Sequence, residues 1–428
     1  MQEYADQRAK NRRPNRRNPR TPTRTPTTHQ PVMPSSTTRY LLNLGHAIDH
    51  MFLLIFAVAV TSIALDFGVA RWEDLMPYSV AAFFFYGVGS LPAGRLGDRW
   101  GRRPMMLMFF FGMGASAILV SQTQTPLQLA GALSVLGCFA SIYHPVGIPM
   151  LVQHASRPGW TIGVNGLCGN LGVALSAIVT GFLIKHDGWR AAFLWPGLIC
   201  IGCGVLFALS KPTAPPPGRA GKATAHERHA DGISLPKLLL VMTLASTSAS
   251  LLFNFSTSSN FEMLNDRLRD FSHDPAWIGM LLAGIYTAAS LTQLVVGQLI
   301  DRYSLKRLYL AMAGMQAVLL AIASQCQGWN FFIMQLLFMA AIFGAIPFTD
   351  AMTVRYVDDR IRSSVSGMRL AVSFGASSIA VWLIGPVVKQ AGFSALLWLM
   401  TGCALCTLLV ISQLPEGRRT PPHLPEST

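Results

Sequence analysis

Between residues 41 and 414 the chain alternates apolar runs of helix-spanning length with short polar breaks. About 20 apolar residues in a helix cross the hydrocarbon core of a bilayer, so each run predicts a membrane span. Twelve are predicted, at about 41–65, 75–93, 105–123, 127–152, 161–185, 190–210, 236–260, 275–299, 308–326, 331–354, 364–389 and 395–414. The stretch 211–235 is rich in Pro, Gly, Ala and His, the composition of a flexible connector. The expected organisation is a basic tail at 1–38, six helices at 39–210, the connector at 211–235, six more helices at 236–414, and a short tail at 415–428.

The two sets of six repeat. Gly94-Arg-Leu-Gly-Asp98-Arg99-Trp returns as Gly297-Gln-Leu-Ile-Asp301-Arg302-Tyr, 203 residues later. Gly163, Gly181, Lys185 and Gly188 return as Gly367, Gly385, Lys389 and Gly392, displaced by 204. A near-constant offset across separate helices predicts two parallel six-helix repeats about an axis along the membrane normal, with a solute site near mid-membrane between them.

Composition agrees with the pattern: 13% of the 428 residues are charged and mean hydropathy is +0.40, against about 25% charged in soluble domains. The charges set the topology. With both termini on the cytoplasmic side, 27 Lys and Arg fall there, six on the other side and one, Arg369, inside a span. That bias predicts a multi-pass protein of the cell's inner membrane with both ends in the cytoplasm. Residues 1–38 are too polar to fold alone, and their arginines suit anionic lipid. No aromatic residues are interleaved with those arginines as nucleic-acid binding would want, so no nucleic-acid partner is expected. The first apolar run starts only near Leu41 and is long enough to span, which is not the pattern of a cleavable signal. Seven cysteines, mostly inside apolar runs, predict packing rather than a disulfide framework.

Polar groups within spans are costly and therefore candidates for function. In the first span His46, Asp49 and His50 stand at i, i+3 and i+4, on one helical face, with Asn43 nearby. An acid beside histidines suits proton coupling. Hydrogen bonding between helices would explain the same residues, and two imidazoles with a carboxylate could also hold a divalent ion. The fourth span carries Tyr143-His144-Pro145, where proline removes a backbone bond and kinks the helix. Asn165 in the fifth span has Arg369 as its repeat counterpart. Asn254, Asn260, Gln293, Asp350 and Arg369 are the polar candidates of the second half, with Asp350 and Arg369 expected to pair or to handle an anionic solute. Glu262, Asp266, Arg267 and Arg269 are expected in a solvated loop.

Between the second and third spans, Gly94, Asp98, Arg99, Gly101, Arg102 and Arg103 form a charged hairpin that cannot enter hydrocarbon. Gly94-x-x-x-Asp98-Arg99-x-Gly101-Arg102-Arg103, with its second copy at Gly297, Asp301 and Arg302, resembles the loop signature of the major facilitator superfamily of secondary transporters. The resemblance implies an all-α membrane fold of twelve helices in two pseudo-symmetric six-helix bundles. It also implies that the loop acid sits against the eleventh helix and a neighbouring arginine, latching the cytoplasmic side. With Gly45-His46, Asp49-His50, Ser141 to Gly147, Gly163 to Gly172 and Gly188 to Phe193, the chain is similar to a bacterial branch that includes fosmidomycin-resistance-type and other multidrug exporters. Two positions depart from the pattern: Ser304 replaces the second loop glycine, and the Gly-Pro signature of drug/proton antiporters is missing from the fifth span.

The function expected is secondary transport of a small solute by alternating access, coupled to protons and directed outward, by one chain in a lipid bilayer with no cofactor and no resident metal. Proton-driven import of a small organic anion is the alternative within the class. A polytopic membrane enzyme or sensor, centred on His46, Asp49 and His50, is the alternative outside it. No Walker loop, Gly-x-Ser-x-Gly elbow or His-Glu-x-x-His helix is present to favour an enzyme.

Overall fold

In hydrocarbon a backbone N–H or C=O finds no water, so an apolar run must satisfy its backbone within its own helix. A computed structural model describes residues 36–152, 155, 158–210, 235–357 and 359–414, the side chains of 158, 159, 235, 301, 350, 354, 355, 359–367 and 370 excepted. The tails, most of the connector, and the side chains of Asp301 and Asp350 therefore lie outside the described residues. All regular structure among them is helical. The helices are α1 Ser36–Asp66, α2 Val80–Trp100, α3 Arg102–Ser121, α4 Pro126–Ala140, α5 Pro158–Asp187, α6 Trp189–Leu209, α7 Leu235–Arg267, α8 Pro275–Arg302, α9 Leu305–Ala323 and α10 Gly328–Tyr356. The last run, Asp359–Ser412, is broken at Gly392, where φ is 75° and ψ 179°; its parts are α11 (359–391) and α12 (393–412).

Gly188, the repeat counterpart of Gly392, has φ 81° and ψ 170° at the start of α6. Only glycine adopts this conformation without strain, so the repeated glycine marks one turn made twice. The 101/304 pair diverges: Gly101 has φ 92°, whereas Ser304 is extended at φ −63° and ψ 121°.

Helices in a membrane gain little from leaving lipid and associate through close packing of small residues. A Cβ on Gly172 of α5 would lie 2.1 Å from the Ala47 carbonyl oxygen of α1, and one on Gly137 of α4 would lie 2.2 Å from that of Ala82 in α2. Around these contacts Phe109, Phe110, Tyr143, Phe193 and Phe207 fill the first half. Phe182, Trp195, Leu206, Val295 and Trp398 are exposed, where acyl chains would cover them.

The chain order puts the Asp98 hairpin, Ser210, Leu235 and both ends of the twelve-helix unit at one end of the bundle. At the opposite end the halves meet. Lys185 of α5 pairs with Asp274 at the start of α8, and its repeat counterpart Lys389 of α11 pairs with Asp74 ahead of α2. Thr61 of α1 donates a 2.7 Å hydrogen bond to Glu262 of α7. A Cβ on Gly181 would lie 2.4 Å from the Pro275 carbonyl oxygen, and one on Gly385 would stand at the same distance from that of Glu73. Helix α7 runs seven residues past the predicted end of its span, so Glu262 and Arg267 are buried, not solvated as the sequence suggested; Asp266 and Arg269 are exposed. The span ends where its apolar pattern ends, but contact with the other half carries the helix further.

Candidate functional site

One face of α1 supplies three titratable groups to the seam between the halves. His46 and Asp49 are buried and His50 is partly exposed. Gly169 of α5 makes room for His46, since a Cβ there would lie 2.7 Å from the imidazole Cε1. His46 Nδ1 stands 2.7 Å from the Asn165 carbonyl oxygen. A carbonyl only accepts, so Nδ1 is the donor, and in the neutral ring Nε2 keeps its lone pair. That Nε2 is buried without a hydrogen-bond partner.

His144 joins from α4. After Ala140 the helix widens into a π turn over Tyr143–Gly147 and resumes at Ile148–Val152. Pro145 sits in that turn and cannot donate a backbone bond, and π turns collect at functional sites. The turn brings the His144 ring centroid to 5.1 Å from His46 and 5.7 Å from His50, with 4.8 Å between His46 and His50. One ligand nitrogen from each of the three rings lies within 4.8 Å of the others. Gly94 and Gly97 of α2 face this turn, with Pro145 and Val146 3.4 and 3.0 Å from where their Cβ atoms would be.

Asp49 is fully buried; its Oδ2 is 3.8 Å from His144 Nε2 and accepts a 3.1 Å bond from Tyr86 of α2, while Oδ1 has no partner. Electrostatic interactions strengthen where water is excluded, so a change of charge on Asp49 acts directly on Tyr86 and His144. Tyr143 donates to the Leu42 carbonyl at 2.7 Å, and Asn165 Nδ2 donates to Tyr143 at 2.8 Å and to Asn43 at 2.9 Å. From the other half, Phe374 of α11 packs on the rings of His144 and Tyr86 at 5.4 and 4.8 Å. Nearby, a Cβ on Gly87 would lie 2.5 Å from the Gly375 nitrogen, so α2 and α11 touch backbone to backbone beside the cluster.

The second half is built differently. Asn254 donates to Ser377 at 2.8 Å and to the Ser250 carbonyl at 2.9 Å, within α7 and α11 and apart from the histidines. Asn260 bonds Tyr286 at 3.2 Å. Arg369 is buried, but its expected pairing with Asp350 lies outside the described residues. Tyr86 and Phe374 were not visible as site residues in the sequence. A tyrosine in the run Phe83-Phe84-Phe85-Tyr86 is a weak polar signal, and Phe374 carries none.

The hairpin residues divide by role. Asp98 and Arg99 are exposed, and Asp98 makes no hydrogen bond or ion pair among the described residues. Arg102 donates to the Pro149 carbonyl at 3.0 Å, and Arg103 donates to the carbonyls of Phe207, Ala208 and Ser210 at 2.7–2.9 Å, capping α6. Its counterpart Lys306 caps α12 through the Leu414 carbonyl. Arg102 and Arg103 thus hold the first half together, whereas Asp98 is free to engage elsewhere. Gly297 has open space where a Cβ would be, and Arg302 is exposed.

The family model of the Major Facilitator Superfamily matches residues 42–266 and 238–427. The chain is 29% identical over 170 residues to the multidrug efflux pump LfrA of Mycolicibacterium smegmatis, covering 37% of this chain and 34% of that one. It is 25% identical over 361 residues to the multidrug resistance protein MdtG of Escherichia fergusonii, covering 82% and 86%. The chain spans less than half the length of the first curated relatives it matches. Among solved structures it is similar to a D-xylose–proton symporter, with a TM-score of 0.73 at 14% identity over 89% of this chain and 98% of that one.

Proposed function

Since the chain belongs to the major facilitator superfamily, we propose that it is a proton-coupled transporter that exports a small organic solute across the inner membrane by alternating access. Membership settles the class as transport, so the enzyme alternative falls away. The observation that supports coupling is the placement of Asp49: fully buried, and in reach of His144 and Tyr86, on whose rings Phe374 of the second half packs. A proton arriving at or leaving Asp49 changes the charge of a group sited at the moving seam. Export rests on the likeness to LfrA and MdtG, named for multidrug efflux and resistance.

On this reading the two bundles, 39–210 and 236–414, rock about the seam, tied by the connector 211–235. Lys and Arg counts favour the hairpin end facing the cytoplasm. The ion pairs of Lys185 and Lys389 then close the outer end, as an inward-facing state requires. Asp98, exposed here, is the group that re-engages α11 when the cytoplasmic side shuts. His46, His50, His144 and Asn165 border the cavity from the first half. Asn254 and Arg369 are assigned to its second-half wall, and the same expectation for Asp350 falls outside the described side chains.

The test is transport of a panel of amphipathic organic dyes in proteoliposomes with an imposed pH gradient. Asp49→Asn should abolish gradient-driven movement while dye still binds and exchanges. Undiminished gradient-driven transport by that variant would remove Asp49 from coupling.

A further inference from the structure

The geometry points to a binding site for a divalent transition-metal ion formed by His46, His50 and His144. The sequence offers two imidazoles on one helix; the fold adds a third from α4 and brings one ligand nitrogen of each ring within 4.8 Å of the others. Ligands of a tetrahedral ion at about 2.1 Å stand about 3.4 Å apart. The trio therefore needs only a modest closing rotation, and His50 and His144, neither fully buried, are the rings that would make it.

Three further features favour an ion over a chance grouping. First, His46 is already oriented as a ligand: its Nδ1–H is held by the Asn165 carbonyl, which leaves the Nε2 lone pair directed away from that carbonyl, buried and unpartnered. Histidine ligands are commonly tethered through their second nitrogen in this way. Second, the Oδ1 of Asp49 is buried without a partner, and its Oδ2 lies 3.8 Å from His144 Nε2. A carboxylate beside the trio offsets the charge of a dication and offers a fourth ligand. Third, among the described residues no lysine or arginine forms a hydrogen bond, ion pair or ring contact with these four, whereas a cation there would oppose a dication. Imidazole ligands select Zn²⁺, Co²⁺ or Ni²⁺ over Mg²⁺ and Ca²⁺, which prefer oxygen. The inference does not depend on the direction or coupling of transport, because it is read by binding alone.

The experiment uses the full chain, purified in detergent without a histidine tag, with Zn²⁺ as the calorimetric probe and Co²⁺ as the spectroscopic one. One ion should bind per chain. X-ray absorption of the Zn²⁺ form should show imidazole nitrogens at about 2.0–2.1 Å. Loss of His50 or His144 as Gln should weaken binding by at least about tenfold and remove the visible Co²⁺ bands of four-coordinate nitrogen ligation. The same affinity in the double variant would assign the ion to other histidines, such as His226 or His229 of the connector, and overturn the site. Oxygen-only coordination, or no binding at micromolar Zn²⁺, would overturn it as well. If a variant is not monodisperse, the absorption spectrum of the unaltered protein decides alone.

Discussion

Replacing Thr61 by Val tests how the two halves are held shut. Valine keeps the shape of threonine but cannot donate, so the 2.7 Å bond across the seam to Glu262 is lost. Glu262 is only 4% exposed, and a buried acceptor deprived of its donor costs about 1–3 kcal/mol. Asn265, on the same helix, also bonds the carboxylate, which keeps the cost near the lower half of that range. When the halves part at this end, water reaches Glu262 and the loss vanishes, so the penalty falls on the closed state alone. A shift of about 1–2 kcal/mol changes the ratio of the two states by about 5- to 30-fold. Spin labels at Leu127→Cys and Asp270→Cys, with Cys138 and Cys406 replaced by Ser, would report it as a growing long-distance population in pulsed electron–electron resonance. Thr61→Ser, which keeps the donor, is the control. Equal distance distributions for the Val and Ser variants would show that this bond does not hold the end closed.

Other outcomes follow from the same structure. Gly188→Ala and Gly392→Ala should each lower stability by about 1–3 kcal/mol, visible as lower melting midpoints in detergent; a neutral result at either would deny that the positive φ matters there. Gly169→Ala places a Cβ 2.7 Å from the His46 ring, so it should displace the imidazole and reduce Zn²⁺ affinity without changing helical content. Asp98→Asn should slow interconversion between open states while leaving dye affinity intact, and a changed solute range at normal turnover would contradict its role. The hydrogen bond from the Lys185 ammonium holds the Asp274 carboxyl below its ordinary value. Its contribution is therefore present above the unfolded value of about 3.9 and lost only as pH falls through the lower folded value. The effect of Lys185→Gln on spin-label distances at the closed end should accordingly be the same at pH 8 and pH 5.5. A difference between the two would mean that this pair titrates inside that window.

Sequence alone carried the architecture. An apolar run long enough to span must be helical in lipid, whatever its neighbours, so span number and order follow from local composition. The repeat was legible for the same reason: Gly188 and Gly392 impose a backbone turn, and Lys185 and Lys389 recur beside them because each serves the same junction. The α1 face of His46, Asp49 and His50 was readable too, since helical spacing places those residues without reference to anything else. What lay beyond reach were contacts between residues far apart in the chain. Nothing local shows that a π turn aims His144 at His46, that Tyr86 donates to Asp49, or that Phe374 covers both. Glu262 was misjudged because a charge past the end of an apolar run looks solvated until the opposing half, with Thr61, is in place. Local physics determines which segments are helices; only their packing, through burial and missing water, determines which polar groups must find one another.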